Sequence, residues 1–271
     1  MRRMKIQTRK NKNLILGGIL LGLMVLFAMI SIMYTPYDPD AMNGMMKNSA
    51  PSLAHILGTD HFGRDIFSRV MVGSRNTLAI ALTVNLISCI IGGGVGVVSG
   101  FFGGWLDEII MRVNDAVLAF PSVLLALIII SLFEPGMGNL ILAFVILFIP
   151  SYARMMRGEV LRIKGLEYIN SAKAIGMGPW SIIRKHVLPN ARRTYLSALA
   201  VGITNAVLAE SSMSYLGLGI QPPTASLGRM LAETQGYLMR APWCAIGPGL
   251  AIVLIALGAG LLSEGINKKT M

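Results

Sequence analysis

The residues best placed for chemistry sit between two apolar runs. They read His55-Ile-Leu-Gly-Thr-Asp60-His61-Phe-Gly63-Arg64-Asp65-Ile-Phe-Ser-Arg69. Imidazoles and carboxylates are among the donors that hold transition metals. Here the two histidines stand six apart, with no third obvious ligand nearby. No group is placed as a nucleophile either, so acid–base catalysis has nothing to serve. Asp60, Arg64 and Asp65 are read as charges that pair with one another, and no metal is expected. Glu210 is the second candidate. It is the only charge in residues 194–228. An ionisable side chain in such a run is costly and turns toward the bundle interior or a cavity. Two readings stay open: Glu210 meets a solute or proton crossing the bundle, or it closes a helix end beside Ser211, Ser212 and Ser214. The third candidate is basic. Residues 154–193 form the longest polar interval and hold nine of the chain's 24 Lys and Arg residues.

Several devices are missing from the sequence. There is no G-x-x-x-x-G-K-[ST] loop to cradle phosphates, no dinucleotide fingerprint and no H-E-x-x-H pair. No nucleophile elbow and no repeat of 20–50 residues are found. The chain is expected to hold no catalytic residue and no cofactor of its own.

The elements that must position these residues follow from composition. The chain has 271 residues, 54% of them apolar and 14% charged. Soluble domains carry about 25% charged residues. A helix needs about 20 apolar residues to cross a bilayer. Uncharged runs near that length lie at 14–34, 76–106, 116–133, 135–153, 194–228 (interrupted by Glu210) and 241–263. The prediction is an all-α integral membrane protein with six transmembrane helices. The net charge of +11 is carried by loops beside the spans, which argues against nucleic acid. Arg2, Arg3, Lys5, Arg9, Lys10 and Lys12 precede the first span and place the N-terminus in the cytoplasm. Six crossings return the C-terminus there, beside Lys268 and Lys269. The first apolar run is too long for a cleaved signal, and is read as a retained span. Cys89 and Cys244 are read as small packing residues.

Taken in order, residues 1–13 are a cytoplasmic tail, 14–34 the first span and 35–73 an extracytoplasmic segment. Residues 74–266 are a five-helix core, and 267–271 a second cytoplasmic tail. In the second span Gly92, Gly96, Gly100 and Gly104 recur every four residues, a bare stripe against which a helix can pack closely. Residues 105–115 alternate in charge sign, as in a solvated turn or a short interfacial helix. Pro121 fits the first turn of the third span or a kink in it. Residues 134–138 read as a tight outer turn, and 224–249 as an outer segment with a short surface helix. The basic interval reads as two short helices, 167–175 and 180–187, with Gly176 and Gly178-Pro179 between them and Leu188-Pro189 as the stop. Ala172, Ile175, Ile182 and Ile183 supply an apolar face. Such a pair suits a groove on another protein, or an anionic lipid surface.

Within that interval Asn170-Ser171-Ala172, Gly176 and His186-Val187-Leu188-Pro189 match the spacing of a known pattern: E-A-A, three residues, G, nine residues, I-x-L-P. The segment resembles the EAA loop of membrane subunits of binding-protein-dependent ABC importers. Asn170 replaces Glu, Ser171 replaces Ala and His186 replaces Ile. Leu57-Gly-Thr-Asp60-His-Phe-Gly63-Arg64-Asp65, the stretch from Asp115 to Phe120-Pro121, and Ser214-Tyr-Leu216-Gly-Leu-Gly219 are similar to the peptide and nickel branch. The resemblance covers nearly the whole chain and is greatest to C-type permease subunits. It implies a type I, MetI-like permease fold in the cytoplasmic membrane of a bacterium or archaeon. It implies half of a translocation path for peptides or nickel and other metal-chelate complexes. The partners implied are a homologous B-type permease, two ABC ATPases that bind ATP and Mg, and an extracytoplasmic solute-binding protein. The coupling residues would be Asn170, Ser171, Ala172, Gly176, Arg184, His186, Leu188 and Pro189, with the coupling face leaning on Arg184, Lys185 and shape. A carrier that works alone on an ion gradient is the rival reading; it needs paired charges within the spans, and only Glu210 is available.

Overall fold

The computed structural model describes residues 2–133 and 136–267, with side chains from residue 12 onward. Among them the chain is helical and forms no β-sheet. In order the helices are α1 (Arg2–Met33), α2 (Ile66–Phe102), α3 (Gly104–Ala119), α4 (Ser122–Ser131), α5 (Met137–Lys164), α6 (Glu167–Ala174), α7 (Pro179–Ile182), α8 (Leu188–Tyr215), α9 (Leu227–Thr234) and α10 (Trp243–Asn267). Helices dominate because a backbone in lipid must satisfy its polar groups within its own segment. Five helical rods are long and apolar enough to cross a bilayer, and α3 with α4 makes a sixth only as a pair bent by 91°.

The third span therefore departs from the straight helix expected over 116–133. Phe120 is extended at φ −85°, ψ 140°, and Pro121 follows it. A residue before proline is pushed out of the helical region, so the helix breaks there. Of the two readings of the charged stretch 105–115, the helical one is what the structure has: it is the body of α3. Gly104 is displaced from the expected packing stripe: it lies past the end of α2 at φ +65°, with open space where a Cβ would be. Other boundaries also move. α1 begins at Arg2, so much of the expected N-terminal tail is helical. α2 begins at Ile66, inside the segment read as a loop, because Asp65 caps it through Ser68 N at 2.7 Å. Pro189 does not stop a helix. It sits in the first turn of α8, where its missing N–H costs nothing. The predicted turn at 134–138 and the C-terminal Lys268 and Lys269 fall wholly or partly outside the described residues. So do the side chains of Arg2, Arg3, Lys5, Arg9 and Lys10.

Packing follows the glycines. A Cβ at Gly92 or Gly96 would fall within 3.0 Å of Ile149 O or Ala153 O, and at Gly100 it would meet Arg157 O at 3.0 Å. The matching four-residue steps make α2 and α5 run side by side in the same direction. On the other flank α1 runs antiparallel to α10, with Gly17 against Gly258 and Leu262. α9 is not a free surface helix. Leu227 and Met230 are buried among α1, α2 and α10, and Gly228 lies on the α8 backbone at Ser211.

Candidate functional site

The basic interval splits in two. Residues 154–164 extend α5, and the remainder forms a knuckle at that end of the bundle. α6 ends in a Schellman cap. Gly176 N–H donates to Lys173 O at 3.0 Å and Met177 N–H to Ala172 O at 3.1 Å, which needs the left-handed φ of +83° that Gly176 adopts. The glycine at that spacing thus has a local cause. Pro179 opens α7, and Ile183–Val187 forms a π-helical turn that runs without a break into α8.

The underside of the knuckle is buried. Ile169, Ala172, Ile182, Ile183 and Val187 share one core with Val97 and Phe101 of α2 and Met156, Val160 and Ile163 of α5. Three of the four residues expected on an apolar face thus face inward. Ile175 does not: it is 79% exposed, and Trp180 beside it is 65% exposed. Asn170, Ser171, Gly176, Arg184, Lys185, Leu188 and Pro189 are exposed as well, and His186 is half-buried. Ala172 is the buried member of the set, where a small side chain fits under the helix. His186 O accepts from Asn190 Nδ2 at 2.6 Å, and the His186 ring packs near Tyr168.

Two groups that residue spacing did not single out tie the knuckle end together. Arg157 grips Asp107 with two bonds of 2.6 Å, and Ser99 donates to the same carboxylate. Lys164 Nζ reaches Phe101 O at 2.6 Å. The start of α3 and the end of α2 are thereby fastened to α5.

Glu210 lies at the opposite end of α8 and is fully buried. It accepts from Thr77 Oγ1 of α2 and from Ser214 Oγ, each at 2.7 Å, with Ser211 Oγ at 3.5 Å. Gly219 packs on Ser214, and a second Schellman cap at Gly217 ends α8. These bonds tie α8 to α2 through the carboxylate.

The histidine-rich stretch also lies at that far end, and α9 completes it. Arg64 bonds Asp60 at 2.6 Å and Glu233 at 3.0 Å, while Arg229 bonds Glu233 at 3.3 Å. Arg69, also buried, reaches Asp40 at 3.2 Å. His55 pairs with Asp65 at 2.8 Å. Asp60, His61 and Glu233 bring three potential metal-ligand atoms within 4.8 Å of one another. Glu233 was the third ligand invisible in the sequence. All four carboxylate oxygens there already accept hydrogen bonds, three of them from the guanidinium groups of Arg64 and Arg229. The local charge is arginine-rich, so the geometry describes an ion-pair knot. His61 stacks on Tyr237 at 5.2 Å, and burial holds its imidazole below the ordinary value.

A bundle of apolar spans with one broken span and a seated polar knuckle is the build of a membrane permease subunit. The fold agrees with a solved structure titled as inward-facing conformations of the MetNI methionine ABC transporter, at a TM-score of 0.62 and 21% identity, over 73% of this chain and 95% of that one. A family model described as the inner membrane component of binding-protein-dependent transport systems matches residues 92–270. The chain belongs to that family, and is a multi-pass inner-membrane translocation subunit of an ABC importer, not an enzyme. Residues 1–51 match a second model, the N-terminal transmembrane domain of oligopeptide transport permease C. Among its relatives are the glutathione transport system permease protein GsiD of Pectobacterium atrosepticum, 38% identical over 93% of this chain and 84% of that one. Another is the dipeptide transport system permease protein DppC of Haemophilus influenzae, 34% identical over 96% and 90%. The probable D,D-dipeptide transport system permease protein DdpC of Escherichia coli is 36% identical over 93% and 84%.

Proposed function

We propose that this chain is the C-type half of a peptide importer. It pairs with a homologous B-type permease, and two ABC ATPases dock on the knuckle and carry the ATP and Mg. A solute-binding protein delivers peptide at the Asp60–Glu233 end, which faces outward, while both termini lie in the cytoplasm. The relatives named for dipeptide and glutathione transport support peptides as cargo.

One observation carries the coupling role. The knuckle shows an apolar tip, Ile175 and Trp180, beside Arg184 and Lys185, while its underside is part of the core of α2, α5 and α8. A partner that grips the tip moves those helices with it. The test is uptake in cells co-expressing the companion subunits. Gly176→Asp and Leu188→Glu are expected to abolish uptake while the chain remains in the membrane, and Trp180→Cys is expected to cross-link to an ATPase. Uptake that proceeds without any ATPase would favour the self-standing carrier.

A further inference from the structure

A cleft of about 360 Å³ opens between α5 and α8 and runs toward the end of α10. Its lining includes Ser151, Tyr152, Thr194, Gly202 and Asn205. Asn205 lies ten residues before the end of α8, about 15 Å along the axis and so well inside the bilayer. Its side chain is exposed and has no hydrogen-bond partner among the described residues, and the same holds for Ser151 on α5. An unpaired amide turned to lipid is costly. These two groups therefore require water, or a polar molecule, beside them.

The back wall of the cleft is built to hold its shape. Tyr152 OH donates to Asn85 Oδ1, and Asn85 Nδ2 donates to Leu199 O at 2.8 Å. Both polar groups lie where a side chain at position 202 would be, so only glycine leaves room for them. The wall thus has its bonds satisfied, while the rim at Ser151 and Asn205 does not. Among the described residues no Asp, Glu, His, Lys or Arg lines the cleft.

We propose that this cleft is the chain's share of the translocation path, and that Ser151 and Asn205 hydrogen-bond the peptide backbone of the passing solute. This rests on the importer reading above. An amide offers both donors and an acceptor, which match an N–H and C=O pair. Neutral partners leave the side chains of the solute unread. They also bind weakly enough to release it, as a conducting site must.

The experiment uses the complete transporter, with both permeases, the ATPases and the binding protein in proteoliposomes. Cys89 and Cys244, both buried, are first replaced by Ala. Cysteines at Asn205, Ser151 and Leu86 are then labelled with a membrane-impermeant cationic thiol reagent. Leu86 is an exposed apolar residue of α2 and serves as the lipid-facing reference. Labelling at 205 and 151 is expected to be much faster than at 86 and to change when ATP and vanadate trap the closed ATPases. Equally slow labelling at all three sites, in a complex that still imports peptide with ATP, overturns the cleft assignment alone. Fast labelling indifferent to ATP keeps the cleft and overturns the ATP-driven reading. A pool of acidic, basic and neutral dipeptides, read by mass spectrometry, tests the chemistry. Asn205→Leu is expected to slow uptake of every class about fivefold, the cost of one neutral hydrogen bond, with Asn205→Gln largely restoring it. Loss confined to one charge class, or no loss, overturns the backbone contact.

Discussion

At the residue scale, Gly176 is asked to do two things. It accepts a left-handed φ that costs other L-residues roughly 1–2 kcal/mol, and it leaves an open surface at the knuckle tip. Asparagine tolerates that φ, and aspartate is its charged isostere. Gly176→Asn is therefore expected to keep most uptake and Gly176→Asp to lose it, with equal amounts of chain in the membrane by immunoblot. Equal loss in both would place the defect in the fold and not in docking. Glu210 poses a similar choice. Its oxygens accept three hydroxyls, and a Gln side chain retains one acceptor oxygen. Glu210→Gln is expected to preserve assembly and uptake, while Glu210→Leu strands Thr77 and Ser214 and lowers thermal stability in detergent. If the Gln variant assembles yet transports nothing, the charge itself has a function.

The elements show what pattern reading can and cannot reach. The Gly92, Gly96, Gly100 stripe was legible because one helix face recurs at a fixed step, and its partner on α5 needed no special residue. Gly104 belonged to the same arithmetic but lies beyond the helix end, which Gly103 marks by ending α2 at φ +70°. The break in the third span was half legible in Pro121, yet its angle depends on what α3 and α4 each pack against. The Asp60–Arg64–Glu233 knot was out of reach, for it joins residues 169 positions apart. That knot makes its own predictions. Arg64 is buried, and Arg64→Ala removes the nearest cation shared by Asp60 and Glu233, leaving Arg69 at 3.8 and 4.0 Å from them and Arg229 on Glu233, so the cost is expected to fall short of the roughly 3–5 kcal/mol of a buried charge left wholly unpaired. A lower unfolding temperature of the detergent-solubilised complex checks this. His61 sits among Asp60, Glu233, Arg64 and Arg69, and burial disfavours its charged form. Its folded pKa lies below the unfolded one, so the unfolded chain binds the proton more tightly. Stability at this end is expected to be full above the ordinary histidine range and to decline as pH falls through it. His61→Gln should flatten that part of the stability–pH curve.

The whole molecule divides into two ends joined by long rods. The span count and the helical knuckle were readable because lipid imposes run length and because the EAA-like pattern encodes a cap, a turn and a helix start. The cleft between α5 and α8 was not readable, since the Ser151-Tyr152 pair and Asn205 lie on different helices and become neighbours only on assembly. One rod links the ends directly. From Pro179 to Tyr215 the knuckle, the π-helical turn and α8 form a single helical span. Near its middle, Gly202 presses on Asn85 and Tyr152 with no side chain between. A rod that rocked about that contact would have unequal arms. The arm toward Trp180 measures about 33 Å and the arm toward Glu210 about 12 Å, at 1.5 Å per residue. Under the proposed docking, rocking there would turn a wide swing at the knuckle tip into a short displacement at the Glu210 end.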